Sequence, residues 1–201
     1  MQIVLATRNQ GKIRELARIF AQELPEVELL GTDNFPDLKD VEETEDSFEG
    51  NALLKAKAVS QFTQLPAIAD DSGLAVDYLG GAPGIFSARY SGVHGDDEAN
   101  LRKVLKEMEK VIDRRAQFVC AAAFVAPNGY TRILRAEMTG ELITEPRGEN
   151  GFGYDPIFVP TGYAQTTGEM DPKLKDSISH RGKAMRELAH LISEEKLEWC
   201  K

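Results

Sequence analysis

The stretch PAIADDSGLAV, residues 66–76, joins an apolar strand pattern to two consecutive carboxylates, Asp70 and Asp71. The apolar residues predict a buried β-strand, which the carboxylates and the small residues after them should interrupt with a turn. Burying two like charges is costly unless a cation or hydrogen bonds compensate. We therefore expect Asp70 and Asp71 to serve a function rather than a purely structural role.

One strand and two helices are predicted before this segment. Residues 2–6, QIVLA, predict a buried strand that runs into a polar turn, TRNQGK, at residues 7–12. A helix is expected from Ile13 until Pro25 ends it. A second helix is predicted by apolar residues at helical spacing, namely Phe48, Ala52, Ala56 and Val59.

The patterns that follow the segment alternate between helix and strand. A helix is predicted over residues 97–112, with Ile112 on its inner face, and the strands 118–126 and 131–138 should form a hairpin across the turn PNG. A short strand, IFVP, and a polar loop lead to a last helix. Its expected buried residues are Ala184, Met185, Leu188, Leu191 and Ile192. This order predicts an α/β fold with a mixed sheet.

Composition limits the class of protein. The 201 residues, 42% of them hydrophobic, predict a single domain over 1–201 or two closely packed lobes. The net charge of -9 argues against binding to nucleic acid. With no apolar run of about 18 residues and no signal peptide, we expect no membrane association and a cytoplasmic location. Cys120 and Cys200 fit a reducing compartment and receive no function.

The turn TRNQGK has the features of a phosphate-binding loop. A turn between a strand and a helix presents backbone N–H groups and the positive end of the helix dipole to an anion. Gly11 permits close backbone approach, Lys12 adds a positive charge, and Thr7 and Asn9 offer hydrogen bonds. Because the spacing differs from that of a Walker motif, a capped turn without a ligand is the alternative.

The acidic residues Glu42, Glu43, Asp70 and Asp71 form two adjacent pairs that flank the second predicted helix. A Mg²⁺ site commonly uses one or two carboxylates together with waters and substrate phosphates, so two of these four would suffice. For Glu42 and Glu43, a solvated acidic loop is an equally good interpretation.

Two loops near the C-terminus contain groups that could recognise a nucleobase. Phe152 could stack on a purine, Asp155 could accept from a ring N–H, and Arg181 could donate to a carbonyl oxygen. The alternative is that Phe152 and Tyr154 are core aromatics, with Ser179 capping the last helix.

Five motifs in order resemble the inosine/xanthosine triphosphate pyrophosphatase family: LATRNQGK, EETEDSFEGNALLKA, PAIADDSGLAVDYLGGAPGIFSARYSG, GFGYDPIF and SISHRGKA. The resemblance implies hydrolysis of ITP, dITP and XTP to the monophosphate and pyrophosphate. It also implies a homodimer, and an elongated mixed sheet with flanking helices that form two lobes around a central cleft. Arg8, Gln10 and residues 164–173 are variable in the family and are left without a role.

The resemblance also implies roles for individual residues. Asp71 matches the proposed proton acceptor and a metal ligand, Glu42 matches the other metal position, and Asp70 is a further candidate ligand. The positions that match substrate contacts are Thr7, Asn9, Gly11, Lys12, Ser72, Phe152, Gly153, Tyr154, Asp155, Lys175, His180 and Arg181.

The chemistry of this reaction can be stated in physical terms. We expect Mg²⁺ to be held by Asp71, with Glu42 or Asp70, while a carboxylate activates water for attack at the α-phosphorus. Arg181 facing C6 would satisfy the O6 of inosine but would confront the amine of ATP, at a cost of about 1–3 kcal/mol. The alternatives are a less selective phosphatase and a nucleotide sensor that binds without turnover.

Overall fold

The computed structural model describes residues 1–200, which form six strands and six α-helices. The elements follow one another as β1 (Gln2–Leu5), α1 (Gln10–Glu23), β2 (Glu28–Gly31), α2 (Phe48–Thr63), β3 (Ala67–Val76), α3 (Asp97–Glu107), β4 (Arg115–Val125), β5 (Thr131–Leu142), β6 (Phe158–Pro160), α4 (Pro172–Ile178), α5 (His180–Glu194) and α6 (Lys196–Trp199).

All six strands belong to one sheet in the order β2-β1-β3-β4-β5-β6. Strand β1 pairs in parallel with both β2 and β3, whereas β5 and β6 are antiparallel. The predicted α/β class with a mixed sheet and flanking helices is therefore confirmed.

The chain divides into two compact units that alternate along the sequence. The first unit contains Met1–Asp71, Cys120–Ala136 and the residues from Arg181 onward, and the second contains Ser72–Val119 and Glu137–His180. Strands β3, β4 and β5 each contribute residues to both units. Because neither unit is one continuous segment, no single linker separates them.

The core of the first unit is built from the apolar faces of α1 and α5 and the strands between them. Leu16 and Phe20 of α1 are buried with Ile68 of β3 and with Ala184 and Leu188 of α5. Of the residues predicted to be buried in the last helix, Ala184, Met185, Leu188 and Ile192 are buried, whereas Leu191 is only half-buried. The hydrophobic pattern therefore identified most of the packed face of α5.

The core of the second unit surrounds the middle of α3. Leu101, Val104 and Met108 pack with Phe118 and Phe158. The prediction that α3 continues to Ile112 was wrong, because the helix ends at Glu107 and Ile112 is 99% exposed. Arg114 Nη1 donates to the Met108 carbonyl oxygen at 2.7 Å, so that a side chain satisfies a carbonyl at the end of the helix.

Two further expectations differ from the structure. Strand β3 continues through Asp70 and Asp71 to Val76 without the predicted turn. The polar loop before the last helix contains α4, whose N-cap Asp171 accepts a hydrogen bond from Lys173 N and whose first residue is Pro172. Both are known helix-start signals. Among residues 1–200, no helix combines the length and apolar character required of a transmembrane span.

Candidate active site

Asp70 and Asp71 lie next to each other in the middle of β3 and are almost completely buried, with 1% and 5% of their surface exposed. Successive side chains of a strand point to opposite faces of the sheet. The two carboxylates therefore meet different partners, which explains how a continuous strand accommodates adjacent charges.

Asp70 is paired with two cations. Its Oδ2 atom lies 3.0 Å from Lys12 Nζ and 3.1 Å from Arg181 Nε. Arg181 Nη1 also donates to Glu15, so that two carboxylates and two cations alternate in one buried cluster. Burial alone would raise the pKa of Asp70, but the charges of Lys12, Arg181 and Lys55 outweigh it and hold that pKa well below its usual value.

Asp71 has a different set of partners. Lys55 Nζ lies 3.0 Å from Asp71 Oδ1 and 2.9 Å from Glu43 Oε1, and Asn51 Nδ2 donates to Asp71 Oδ2 at 3.3 Å. Burial raises the pKa of Asp71 above its usual value, although Lys55 and Lys12 oppose the effect. Burial lowers the pKa of Lys55, but Asp71, Glu43 and Asp70 together raise it above its usual value.

The TRNQGK segment forms the N-terminus of α1, where Gln10, Gly11 and Lys12 are already in the first turn. Asn9 is the N-cap, and its Oδ1 accepts from Lys12 N at 3.0 Å, while Asn9 N donates to Thr7 Oγ1 at 3.2 Å. A helix N-terminus carries backbone donors without intrahelical partners. Its first turn therefore offers N–H groups to an anion in addition to the Lys12 ammonium.

The structure distinguishes between the two acidic residues before α2. Glu42 is exposed, whereas Glu43 shares Lys55 with Asp71. Glu43 therefore has the stronger geometric connection to Asp71, although Glu42 was the predicted metal ligand. Within residues 1–200, no three side chains of His, Cys, Asp or Glu cluster in a way that could hold a metal ion.

The second unit contains the predicted base-recognition residues from Phe152 to Lys175. Asp155 is buried, and its Oδ2 accepts from Phe152 N at 2.8 Å and from Lys175 Nζ at 2.6 Å. Lys175 Nζ also lies 5.1 Å from the centre of the half-buried Phe152 ring. Within this unit, the structure thus brings together an aromatic ring, an ammonium group and a carboxylate.

The neighbouring residues Gly153 and Tyr154 fix the loop. Gly153 N donates to Asp97 Oδ2 at 2.8 Å. Tyr154 is buried, and its hydroxyl donates to the Ser87 carbonyl oxygen at 2.8 Å. This favours the interpretation of Tyr154 as a core aromatic residue over a direct contact with a base.

His180 and Arg181 are consecutive in sequence but belong to different units. The His180 ring is buried and stacks on Phe118, with the ring centres 4.9 Å apart. Arg181 instead contacts Asp70 and Glu15, as described above. Ser72, predicted to contact substrate, directly follows Asp71 in β3 and is half-buried.

Sequence reasoning gave no role to Glu15, Asn51, Lys55 or Asp97. A signal for three of them is present in the helical spacing. Glu15 lies three residues after Lys12, and Asn51 and Lys55 lie four residues apart on the same face of α2 as the buried residues Ala52 and Ala56. Polar residues beside an apolar helical stripe therefore marked Asn51 and Lys55, the partners of Asp71, and Glu15, a partner of Arg181.

Known proteins of similar sequence match this chain over nearly its whole length. The chain is 51% identical to a dITP/XTP pyrophosphatase of Streptomyces avermitilis over 195 residues, covering 96% of this chain and 98% of that protein. It is 45% identical to a dITP/XTP pyrophosphatase of Bacillus anthracis, covering 96% of each.

Solved structures show the same fold. The Ham1 protein of Staphylococcus aureus superposes with a TM-score of 0.86 at 41% identity, covering 97% of this chain and 100% of that one. A HAM1 protein from Coxiella burnetii has the same TM-score at 40% identity, covering 96% and 99%. The model of the Ham1 family matches residues 3–191. The chain therefore belongs to the Ham1 family, as the five motifs predicted.

Proposed function

We propose that this protein hydrolyses deaminated, non-standard purine nucleoside triphosphates, namely ITP, dITP and XTP, to the nucleoside monophosphate and pyrophosphate. The observation that carries the proposal is the pair of adjacent buried carboxylates in β3, one held by Lys12 of the phosphate loop and the other by Lys55. The names of relatives that are 45–51% identical over nearly the whole chain support the substrate class.

The residues of the phosphate loop would bind the triphosphate. Lys12 supplies a positive charge, and the N-terminus of α1 supplies backbone N–H groups and the positive end of a helix dipole. Thr7 and Asn9 shape this turn through their own hydrogen bonds, and Gly11 lets the backbone approach the phosphates. In this proposal Lys12 exchanges its contact with Asp70 for a contact with phosphate.

Asp71 is the residue best suited to accept a proton from the attacking water. A carboxylate whose pKa is raised by burial binds a proton more strongly and is therefore a better general base near neutral pH. Asn51 and Lys55 orient this carboxylate through both of its oxygens. Asp70, whose pKa is lowered, is a poorer base; it would instead anchor Arg181, and would hold Lys12 only until phosphate binds.

The donor set around Asp71 also fits Mg²⁺. Two carboxylates, from Asp71 and Glu43, already converge on one cationic group, the Lys55 ammonium. One or two carboxylates together with substrate phosphates are what Mg²⁺ requires. Asp71 and Glu43 would hold the ion in place of the single Lys55 ammonium that they share. Glu42 is a less suitable candidate because it is exposed, and Asp70 because Arg181 would keep its contact with Oδ2 after Lys12 leaves. When bound, Mg²⁺ would neutralise charge on the phosphates.

The second unit would recognise the base. Phe152 would stack on the purine, with Lys175 beside it, while Asp155 would hold both residues in place. The contacts of Asp155 thus support an internal role in place of a direct contact with a ring N–H. Arg181 would donate to O6 of the base, with Glu15 and Asp70 fixing the orientation of its guanidinium.

We also propose that the protein is a homodimer that acts in the cytoplasm. Exposed apolar side chains occur close together in sequence at Tyr78, Phe86 and Val93, and exposed apolar surface favours association. Light scattering coupled to size-exclusion chromatography would measure the mass in solution. A mass of 22.2 kDa, that of one chain, would contradict the dimer.

One experiment tests substrate class and cleavage position together. The purified protein is incubated with ITP, dITP, XTP, ATP and GTP, with and without Mg²⁺, and monophosphate, pyrophosphate and orthophosphate are quantified. Pyrophosphate from the first three substrates is the expected result. Orthophosphate alone would indicate a less selective phosphatase, and binding of ITP without hydrolysis would indicate a nucleotide sensor.

A further inference from the structure

The carboxylate of Asp155 has a third partner, Thr167, to which neither a motif nor the proposed function assigns a role. Thr167 lies in the segment 164–173 and is fully buried. Its hydroxyl lies 2.8 Å from Asp155 Oδ1 and 3.1 Å from the Asp155 carbonyl oxygen, and it donates to the nearer and charged Oδ1. Lys175 and Phe152 N both donate to Oδ2. The two oxygens of this carboxylate therefore have separate partners.

This separation determines where the Lys175 ammonium lies. Because the Thr167 hydroxyl occupies Oδ1, the ammonium and the Phe152 N–H meet on Oδ2. The ammonium consequently lies close to the backbone of Phe152 and 5.1 Å from the centre of its ring. Without the hydroxyl, Oδ1 would become available to Lys175, and the ammonium could move relative to the ring.

The backbone around Thr167 is itself well fixed. Thr167 N donates to Phe158 O at 2.9 Å, and Gly168 N donates to Asp155 O at 3.0 Å. At the other carboxylate oxygen, a Cβ atom at Gly151 would lie 2.0 Å from Asp155 Oδ2, so only glycine leaves room for the carboxylate there. The orientation of the Asp155 carboxylate is thus determined by contacts at both of its oxygens.

We infer that Thr167 is a positioning residue for base recognition: its hydroxyl orients the Asp155 carboxylate, which in turn places Lys175 beside the Phe152 ring. The inference rests on the proposed function, in which Phe152 and Lys175 meet the purine. It adds a residue that acts on substrate affinity through Asp155 without touching the substrate. Removing the hydroxyl should therefore weaken binding of the base and leave the chemical step unchanged.

The test compares Thr167→Val, which keeps the shape and removes the hydroxyl, with Thr167→Ser, which keeps the hydroxyl. For Thr167→Val we expect KM for ITP to rise about fivefold with kcat within about twofold of wild type, as for the loss of one hydrogen bond that acts on binding alone. Thr167→Ser should restore KM to within about twofold. Thr139→Val is the matched control, because Thr139 is an exposed threonine of the same unit whose hydroxyl contacts Thr161.

The possible outcomes separate this inference from the proposed function. An unchanged KM in Thr167→Val, or equal losses of kcat and thermal stability in both Thr167 variants, would overturn the positioning role even if wild type releases pyrophosphate from ITP. If wild type does not hydrolyse ITP, the proposed function fails, and calorimetric titration with IMP then decides the inference. About fivefold weaker IMP binding by Thr167→Val would support it, whereas equal binding, or no binding by wild type, would overturn it.

Discussion

The two candidate clusters hold their side chains in different ways. In the first unit, Lys12, Lys55 and Arg181 are paired with Asp70 and Asp71 in a buried network where one oxygen serves two cations. In the second unit, one ion pair, between Asp155 and Lys175, is supplemented by directional hydrogen bonds and an aromatic ring. In the proposed function, the first arrangement would exchange partners when the triphosphate binds, whereas the second would hold a fixed shape for the base.

The largest effect is expected in the first cluster from Asp71→Asn. The amide keeps the shape of the carboxylate but cannot accept a proton, and a general base typically contributes about 10²–10⁴-fold to the rate. Pyrophosphate release from ITP at saturating Mg²⁺ should fall by at least about 100-fold. Asp77→Asn, a change to an exposed aspartate just after the same strand, is the control. Near-normal turnover in Asp71→Asn would rule out the assignment of this base.

Asp70→Asn should act on stability. It leaves Lys12 and Arg181 without their shared buried carboxylate, and breaking such a pair costs about 3–5 kcal/mol of unfolding free energy at pH 7. Since the folded-state pKa of Asp70 is lowered, its contribution is fully present above the unfolded value of about 3.9 and is lost progressively as pH falls from there towards the lowered folded-state pKa.

Urea unfolding of wild type and Asp70→Asn at pH 7 and pH 3.5 measures this contribution. The difference between the two proteins should be smaller at pH 3.5. Asp113→Asn, at an exposed aspartate that contacts Arg115, provides the control and should show little difference at either pH. A difference that widens on acidification would show that Asp70 is not held ionised by its neighbours.

These two aspartates also show how far the sequence could predict the structure. Apolar periodicity located α2 and most of the packed face of α5, because burial of such faces is a local property of the pattern. It did not predict that β3 continues through Asp70 and Asp71, since the cations that make this possible come from Lys12, Lys55 and Arg181, which are distant in sequence.

For the site residues too, the sequence predicted local features but not contacts between residues that are distant in sequence. The motifs identified the side chains that carry charge, but they did not give their partners. Residue type did not distinguish Glu42 from Glu43, and the resemblance selected Glu42, whereas the structure places Glu43 on Lys55. Arg181 was assigned to base recognition from its residue type, whereas its contacts with Glu15 and Asp70 could not be inferred from spacing. Thr167 carries no motif at all, so only its contact with Asp155 reveals it.

Glu43→Gln tests which acidic residue before α2 assists Mg²⁺. Removing one carboxylate of the pair that shares Lys55 should raise the Mg²⁺ concentration required for half-maximal activity by roughly tenfold. Glu42→Gln changes the adjacent, exposed residue and serves as the matched comparison. If Glu42→Gln instead raised the required Mg²⁺ concentration more than Glu43→Gln did, the assignment of Glu42 made from sequence would be restored.

The smallest of these effects is expected in the second cluster, from Phe152→Leu. Base–aromatic stacking is worth about 1–3 kcal/mol and leucine keeps part of the apolar contact, so KM for ITP should rise by about fivefold while kcat stays within about twofold. Inorganic tripolyphosphate has no base, so its inhibition constant should be the same for wild type and Phe152→Leu but higher for Lys12→Met. Phe62→Leu, at an exposed aromatic residue of α2, controls for the loss of a ring. If Phe152→Leu weakened the binding of tripolyphosphate as much as the binding of ITP, the second cluster would not be specific for the base. The proposed division into a site for the polyphosphate and a site for the base would then be wrong.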